Sequence, residues 1–128
     1  MVAEIDAAEL AALLQDGDSP TIVDIRSRRA FDRGHLPGSR NLPFPELTTR
    51  VSELEDAARI VTVCPHGVSS QQAAALISSY AGTADARVES LRGGLEGWNG
   101  PLESTAASGT RDEDRGAGET GEGPEAPF

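Results

Sequence analysis

Residues 60–80, IVTVCPHGVSSQQAAALISSY, contain a short apolar run, a tight turn and an amphipathic pattern in succession. The β-branched run 60–63 predicts a strand that is buried on both faces, as in parallel sheets. Cys64, the only cysteine of the chain, follows in a turn that also contains Pro65 and Gly67. Apolar residues at helical spacing then predict an amphipathic helix: Ala73, Leu76, Ile77 and Tyr80. The stretch therefore predicts a thiol in a glycine turn between a buried strand and a helix.

The position of Cys64 predicts a thiol that ionises readily. Free backbone N–H groups and the positive end of the helix dipole face such a turn, and these surroundings lower thiol pKa values from about 8.5 to roughly 3.5–7.5. Two other interpretations of the same pattern stay open. An isolated cysteine after a buried strand is often a small core residue, and a glycine turn at a helix N-terminus can bind an anion without performing chemistry.

Four motifs occur in order along the chain. They are Asp24-Ile25-Arg26, then Gly34-His35-Leu36-Pro37-Gly38-Ser39 with Asn41-Leu42-Pro43, then Cys64-x-x-Gly67-Val68-Ser69, and finally Leu91-Arg92-Gly93-Gly94 with Trp98. Together they resemble the pattern of the rhodanese (sulfurtransferase) family, over roughly residues 4–102. Each motif alone is weak, but four in this order identify the chain as a member of that family.

The resemblance implies an α/β fold with an open, mostly parallel five-stranded sheet and helices on both faces. It also implies that Cys64 is the catalytic nucleophile, at the head of a substrate-binding loop formed by Pro65, His66, Gly67, Val68 and Ser69. Ser69 stands where many single-domain relatives have arginine, so strong binding of a dianionic donor is less expected. The family resemblance implies no cofactor and no metal.

Asp24 and Arg26 are placed at the carboxyl end of a predicted strand, where an ion pair or a hydrogen-bond network is favoured over direct contact with the substrate. The resemblance implies that these two positions organise the loops around the active site. The family often has an acidic residue where this chain has Ala30. Any ion pair of Arg26 with that acid is therefore lost or supplied elsewhere, with Asp32 as the candidate. His35 is interpreted as a structural residue that satisfies backbone groups, not as a general base.

The rest of the domain predicts the elements around this unit. Residues 2–5 form a short edge strand, and Asp6 and Glu9 have the spacing of a capping box for the helix that follows. Two more strands are expected at 21–25 and 87–91. Further predicted positions are Leu47, Val51 and Leu54 on the inner face of a helix that Pro45 opens, Gly82 just past the end of the helix after Cys64, and Trp98 in the core.

Composition divides the 128 residues into one domain, 1–102, and an acidic, glycine-rich tail, 103–128. The tail holds seven acidic residues, two arginines and five of the 14 glycines, without isoleucine, leucine or valine, which is typical of a disordered segment. The whole chain carries a net charge of −10, which argues against nucleic acid and anionic membranes as partners.

One cysteine excludes an intramolecular disulfide and, beside only two histidines, disfavours a structural zinc site. No apolar run reaches the roughly 18 residues that span a bilayer, and the N-terminus lacks the order of a secretory signal, so a cytoplasmic protein is expected. The chain contains no lysine. In an acidic protein this composition is expected either from a GC-rich genome or from adaptation to a salty cytoplasm.

The leading hypothesis for function is a sulfurtransferase. Ionised Cys64 attacks a small sulfur-donor anion such as thiosulfate, and a thiol or a cyanide-like acceptor removes the sulfur from the resulting persulfide. Two alternatives remain open at this point. The first is a cysteine phosphatase or arsenate reductase on the same fold, and the second is a non-catalytic rhodanese-like module that binds or regulates a partner.

Overall fold

A computed structural model describes residues 2–104 of the chain. The strands are β1 (Ala3–Ile5), β2 (Thr21–Asp24), β3 (Arg40–Asn41), β4 (Arg59–Val63) and β5 (Arg87–Leu91). The helices are α1 (Ala7–Gln15), α2 (Arg28–Arg33), α3 (Leu47–Arg50) and α4 (Ser69–Ser79). Short 3₁₀ turns occur at Phe44–Glu46, Val51–Leu54, Ala81–Thr83 and Leu95–Gly97.

The five strands form one sheet in the order β1-β5-β4-β2-β3. All four strand pairings are parallel, which confirms the predicted sheet and makes it parallel throughout. The strand that carries the cysteine turn, β4, lies in the middle of the sheet. β1 lies at one edge, as the sequence predicts.

Helices cover both faces of the sheet, as predicted. On one face α3, the 3₁₀ turn after it and α4 pack against the sheet through buried residues that include Leu47, Leu54 and Ile77. On the other face α1 contributes Leu10, which packs in a second cluster with Leu36 and Trp98. Trp98 is therefore a core residue, as the sequence indicates.

Local signals in the sequence fix several element boundaries. The Asp6 side chain accepts a hydrogen bond from the Glu9 amide and the Glu9 side chain accepts one from the Asp6 amide, so the capping box is confirmed. The helix expected after Pro45 is short. It forms as α3 between two 3₁₀ turns, and its predicted inner residues, Leu47, Val51 and Leu54, are all buried.

The predicted end of α4 beside Gly82 is wrong. The helix ends at Ser79, and Gly82 lies inside the following 3₁₀ turn. A Cβ atom on Gly82 would lie 2.5 Å from the ring of Tyr80 and 2.7 Å from the carboxylate of Glu55. The glycine leaves room for two side chains that lie against the backbone, and it is not a helix cap.

The last described residues contact the domain. The backbones of Glu103 and His35 form an antiparallel bridge with N···O distances of 2.8 and 2.9 Å, and the Ser104 hydroxyl donates to the Asp32 carbonyl at 3.0 Å. The sequence assigns both residues to the tail. The rest of that tail, 105–128, lies outside the described residues. Within residues 2–104 no helix is long and apolar enough to cross a membrane.

Candidate active site

The strand β4 determines the direction in which Cys64 points. Successive side chains of a strand alternate between the two faces of a sheet. Ile60 packs in the cluster under α4, whereas Val61 and Val63 pack in the cluster on the opposite face. Cys64 continues the alternation and lies on the α4 face, with only 2% of its surface exposed. The thiol therefore lies at the end of the central strand, below the first turn of α4.

Three donors surround the sulfur atom of Cys64. The Gly67 amide lies 3.1 Å from Sγ, and the amide and hydroxyl of Ser70 both lie 3.3 Å from it. The N-cap residue of α4, Val68, provides no side-chain cap for the helix. Because Cys64 Sγ accepts the Ser70 amide, the sulfur satisfies one of the donors that a helix N-terminus leaves free. An anion at this position also benefits from the helix dipole.

Two glycines bring the loop into this shape. Gly67 has a φ of +83°, a conformation that residues with a side chain rarely adopt. A Cβ atom on Gly94 would lie 2.3 Å from the Cys64 carbonyl oxygen and 2.6 Å from the Gly67 amide nitrogen. The backbone of the turn after β5 therefore packs directly against the cysteine loop.

Hydrogen bonds join the same two segments. The Leu95 amide donates to the Cys64 carbonyl at 2.9 Å, and the Glu96 amide donates to the Pro65 carbonyl at 3.0 Å. The Gly93-Gly94 motif of the sequence thus has a definite role. It holds the loop that carries the thiol.

Ser70 and Ser90 form a buried hydroxyl pair that the sequence analysis missed. Their Oγ atoms lie 2.7 Å apart and both residues are fully buried. Ser90 lies directly opposite Thr62 in the β4–β5 register, and the Thr62 hydroxyl donates to the Ser70 carbonyl at 2.7 Å. When the thiolate accepts a hydrogen bond from the Ser70 hydroxyl, the Ser70 oxygen accepts one from the Ser90 hydroxyl. One signal was available in the sequence, since serine within a buried strand is unusual.

The environment of Cys64 favours its thiolate. Burial, the largest single influence, raises the pKa of the thiol. Hydrogen bonds from the hydroxyl and amide of Ser70, and from the amides of Gly67 and His66, lower the pKa and outweigh burial. The pKa of Cys64 therefore lies below its ordinary value, in the direction that the sequence predicts. The donors responsible are neutral groups.

A cavity of about 320 Å³ opens beside Cys64. It is lined by Ile25, Arg26, Ser27, Pro43, Phe44, Pro45, Cys64, Pro65 and Ser69. The predicted substrate-binding residues thus take different positions. Pro65 and Ser69 line the cavity, and Gly67 donates its amide to the sulfur. His66 is exposed, with its Nδ1 3.2 Å from the Glu96 carboxylate, and Val68 is 66% exposed. Substrate binding by these five residues stays a prediction.

Asp24 and Arg26 form the expected ion pair. The Arg26 Nη2 and Asp24 Oδ2 atoms lie 2.8 Å apart, and Arg26 Nε lies 2.9 Å from Asp24 Oδ1. Arg26 Nη2 also donates to the Gly34 carbonyl at 2.6 Å. The expectation that Asp32 pairs with Arg26 is wrong. Asp32 pairs with Arg28, one turn earlier on α2.

His35 is held by backbone and aromatic contacts. Its Nδ1 lies 2.7 Å from the Phe31 carbonyl oxygen, so this nitrogen carries the proton and donates it. Its ring stacks on that of Phe31 with centroids 3.8 Å apart, and only 6% of the residue is exposed. These contacts agree with a structural role. Among residues 2–104 there is no group of three or more side chains suited to hold a metal ion.

Comparisons with known proteins place this geometry in a family. The sequence model of the rhodanese-like domain family matches residues 6–101. A thiosulfate sulfurtransferase GlpE from Ectopseudomonas mendocina is 37% identical over 91 residues, which cover 71% of this chain and 81% of the relative. The thiosulfate sulfurtransferase GlpE of Pseudomonas aeruginosa PAO1 is 38% identical over 88 residues, covering 69% and 77%.

Solved structures agree with this assignment. The solution structure of a rhodanese-like domain from an Anabaena protein is 28% identical, with a TM-score of 0.70, and the match covers 88% of this chain and 87% of that domain. The cysteine loop, the sheet order and the matched motifs lead to one conclusion. The chain belongs to the rhodanese-like domain family.

Proposed function

We propose that the protein is a sulfurtransferase that carries sulfane sulfur as a persulfide on Cys64, with thiosulfate as a donor and a thiol or cyanide as the acceptor. One observation carries the proposal. The sulfur atom of Cys64 accepts hydrogen bonds from two amides and lies 3.3 Å from the Ser70 hydroxyl, which donates to the sulfur in its thiolate form, in a loop that opens onto a cavity. Such a site stabilises an anionic sulfur and leaves it reachable by a substrate.

In the first half-reaction the Cys64 thiolate attacks the outer sulfur of thiosulfate. A bond forms between the two sulfur atoms, and the bond between the outer sulfur and the sulfonate breaks. Its electron pair leaves with sulfite, and Cys64 keeps a persulfide with one negative charge. The amides and the helix dipole stabilise that charge without having to reorganise.

In the second half-reaction a nucleophilic acceptor attacks the terminal sulfur of the persulfide. With cyanide the products are thiocyanate and the free Cys64 thiolate, so the cycle closes without any cofactor. The lowered pKa of Cys64 makes the thiolate a better leaving group in this step. The hydrogen-bond donors around Cys64 Sγ therefore contribute to both halves of the reaction.

The loop supports sulfur transfer over phosphate hydrolysis. Cysteine phosphatases rely on an arginine whose guanidinium binds the phosphate oxygens and stabilises the transferring group. Residues 64–70 contain no arginine. Among residues 2–104, Arg26 is the one cation lining the cavity, and its guanidinium is paired with Asp24. The retained nucleophile supports an enzyme over a purely binding module.

We also propose a cytoplasmic location, because a free nucleophilic thiol is maintained in reducing compartments. We further propose a cytoplasm rich in salt, with a GC-rich genome as the alternative origin of the acidic, lysine-free composition. Cell fractionation with an antibody tests the first part, and salt-dependent unfolding tests the second. Recovery of the protein in an extracellular fraction would contradict the assignment.

Intact mass spectrometry tests the central proposal. After incubation with thiosulfate the protein should gain the mass of one sulfur atom, and cyanide should remove it with release of thiocyanate. Cys64→Ala should neither gain the mass nor transfer sulfur. Hydrolysis of an aryl phosphate, measured on wild type and on Cys64→Ser, provides the competing assay. Cys64-dependent phosphate release that exceeds sulfur transfer would overturn the proposal.

A further inference from the structure

Ser90 has a buried hydroxyl with a single partner. None of its surface is exposed, and among residues 2–104 its hydroxyl forms one hydrogen bond, with Ser70 Oγ at 2.7 Å. Val88 packs in the cluster under α4 and Leu91 in the opposite cluster, so the alternation of β5 turns Ser90 toward α4. A buried hydroxyl costs free energy unless it is hydrogen-bonded, so packing alone does not account for a serine at this position.

The hydroxyl protons of the two serines can be assigned by counting acceptors. Each serine hydroxyl donates one proton and accepts through its oxygen. Ser70 Oγ has two neighbours, Cys64 Sγ at 3.3 Å and Ser90 Oγ at 2.7 Å. If the Ser70 proton pointed to Ser90, the Ser90 proton would be buried without an acceptor, which is costly. Both protons have acceptors only when Ser90 donates to Ser70 and Ser70 donates to the sulfur.

This arrangement distinguishes the two forms of Cys64. A thiolate can only accept, so it takes the Ser70 proton while Ser70 accepts from Ser90. A thiol can donate its own proton to Ser70 Oγ, but the Ser70 proton must then turn toward Ser90 and the Ser90 proton loses its acceptor. The Ser90 hydroxyl therefore favours the charged form of the cysteine. In a buried site each hydrogen bond of such a chain also polarises the next.

We propose that Ser90 is a positioning residue, whose hydroxyl donates to Ser70 Oγ and keeps the Ser70 hydroxyl turned toward the sulfur of Cys64. Ser90 does not contact the sulfur, and it acts on the reaction only through Ser70. The inference rests on the proposed sulfurtransferase function and adds a residue of β5 to the site. The same orientation serves when Cys64 attacks the donor and when its thiolate leaves the persulfide.

The charged groups around the site do not change when Ser90 or Ser70 is replaced. The helix α4 carries no titratable side chain. The titratable groups on the surrounding elements form ion pairs with one another: Asp24 with Arg26, Glu46 with Arg50, His66 with Glu96, Glu89 with Arg59 and Arg87, and Arg92 with Glu4. A change in the titration of Cys64 in a serine variant therefore reports on the hydroxyl chain.

Ser90→Ala tests the role, with the pH profile of alkylation by iodoacetamide as the measurement. We expect alkylation on the acidic side of the profile to slow by about threefold or more, the size expected for one buried hydrogen bond between neutral groups. The rate at high pH should not fall, because a less stabilised thiolate is at least as nucleophilic. The ultraviolet absorbance of the thiolate should titrate with the same shift. A profile that coincides with that of the wild type would overturn the inference.

Ser90→Thr and Ser90→Val form a matched pair, because both add similar bulk and only the first keeps a hydroxyl. Ser90→Thr should keep the wild-type profile, and Ser90→Val should shift as Ser90→Ala does. Equal shifts in the two variants would contradict the inference, and this pair decides if Ser90→Ala does not fold.

Thr83→Val is the control for the loss of a buried hydroxyl elsewhere. Thr83 is 3% exposed, and its hydroxyl donates to the Tyr80 carbonyl at 3.1 Å, beyond the far end of α4. This variant should unfold at a lower denaturant concentration and keep the wild-type alkylation profile. A shift in Thr83→Val as large as that in Ser90→Ala would show that lost stability moves the profile, and the inference would fail.

The double variant Ser70→Ala/Ser90→Ala tests whether Ser90 acts through Ser70. If it does, removing Ser90 has no further effect once the Ser70 hydroxyl is gone, and the profile should match that of Ser70→Ala. A further slowing of about threefold in the double variant would overturn the route through Ser70.

Sulfur loading from thiosulfate, followed by mass spectrometry, separates this inference from the proposed function. If wild type gains the mass of one sulfur and Ser90→Ala keeps the wild-type alkylation profile, only the role of Ser90 fails. If the profile shifts as expected and wild type gains no sulfur, the sulfurtransferase function fails and Ser90 still positions the hydroxyl that stabilises the thiolate.

Discussion

Two buried polar sites lie at the carboxyl ends of the neighbouring strands β2 and β4, the Asp24–Arg26 pair and the Cys64 site. They stabilise a negative charge in different ways. Asp24 ends β2, and in the parallel register it lies beside Val63, one residue before Cys64. The Asp24 carboxylate faces a guanidinium at 2.8 Å. Within residues 2–104 the donors that act on the Cys64 sulfur are neutral: the amides of His66, Gly67 and Ser70 and the hydroxyl of Ser70.

The difference separates a structural anion from a reactive one. A carboxylate paired with a guanidinium has its charge compensated inside the protein, and the pair then holds two chain segments together. A sulfur stabilised by neutral dipoles keeps its negative charge and its nucleophilicity. The experiments below disturb one system at a time, beginning with the largest expected effect.

Asp24→Ala should cause the largest loss of stability. It leaves the Arg26 guanidinium, whose side chain is 13% exposed, without its carboxylate partner. Breaking a buried ion pair from one side costs about 3–5 kcal/mol. Denaturant unfolding measures the loss. Asp32→Ala breaks the more exposed pair with Arg28 and should cost below about 1 kcal/mol, so equal losses would contradict the distinction.

Gly94→Ala should disturb the Cys64 site indirectly, by displacing the backbone that packs against the cysteine loop. The new Cβ would lie 2.3 Å from the Cys64 carbonyl oxygen, so the two loops must separate. We expect a loss of stability of about 2–4 kcal/mol from overpacking and backbone strain, together with a large loss of sulfur transfer. Unfolding and thiocyanate release measure the two effects.

Gly93→Ala is the matched control for that substitution. Gly93 has a φ of +77°, but a Cβ atom there has no neighbour within 4 Å. It should cost only the backbone strain of about 1–2 kcal/mol and leave most of the transfer rate. Equal losses of activity in both variants would show that the close contact with the cysteine loop is not needed.

Ser70→Ala should shift the reactivity of Cys64 toward higher pH. The pKa of the thiol is lowered in the folded protein, so its thiolate is present at a lower pH than in a free cysteine. Removing a hydrogen bond to a charged group costs about 1.5–3 kcal/mol. The pH profile of alkylation by iodoacetamide should therefore move up, with a roughly tenfold slower rate on its acidic side.

Ser69→Ala provides the control for this profile. Ser69 is exposed, and in the described residues its hydroxyl makes no hydrogen bond to the sulfur of Cys64. Its alkylation profile should match that of the wild type. A profile of Ser70→Ala that coincides with both would show that the buried hydroxyl does not stabilise the thiolate.

A salt series should produce the smallest effect and sharpen the comparison. Raising KCl or NaCl from about 0.1 to 1 M shortens the screening length from about 10 to 3 Å. Repulsion within a chain of net charge −10 should weaken, and the midpoint of thermal unfolding should rise by a few degrees, about the effect of 1 kcal/mol or less. Asp24→Ala should remain less stable than wild type by a similar margin at both concentrations, because the pair is buried.

Two results would contradict these expectations. A margin that vanishes in 1 M salt would show that the Asp24–Arg26 pair behaves like a surface pair. No rise of the wild-type midpoint would favour genome composition as the reason for the missing lysine.

Sequence reasoning reached the parts of the molecule that depend on local patterns. The β-branched run 60–63, the cysteine turn and the stripe beginning at Ala73 predicted β4, the loop and α4 because strand and helix periods are short-range properties. The capping box at Asp6 could be predicted for the same reason. The family resemblance supplied the mostly parallel five-stranded sheet with helices on both faces, but not the order of its strands.

The missed features depend on contacts between distant segments. Ser90 reaches the site only through the β4–β5 register, which places it opposite Thr62. The cavity wall depends on Phe44, which comes from a segment 20 residues before Cys64. No local pattern encodes the contacts of Ser90 or Phe44. The wrong partner for Asp32 is a different kind of error, because Arg28 lies four residues earlier on the same helix and this local pair was overlooked.

The contact between Gly67 and Gly94 has a consequence for protein engineering. The backbone that follows β5 holds the Cys64 loop in place. It does so through hydrogen bonds from the Leu95 and Glu96 amides and through the close contact between the two glycines. A transplant of residues 64–70 alone into another α/β scaffold would carry the nucleophile and lose the brace. The smallest transferable unit is the pair of segments, 64–70 with 93–96, mounted on adjacent parallel strands. A library that randomises one of them should therefore vary the other with it.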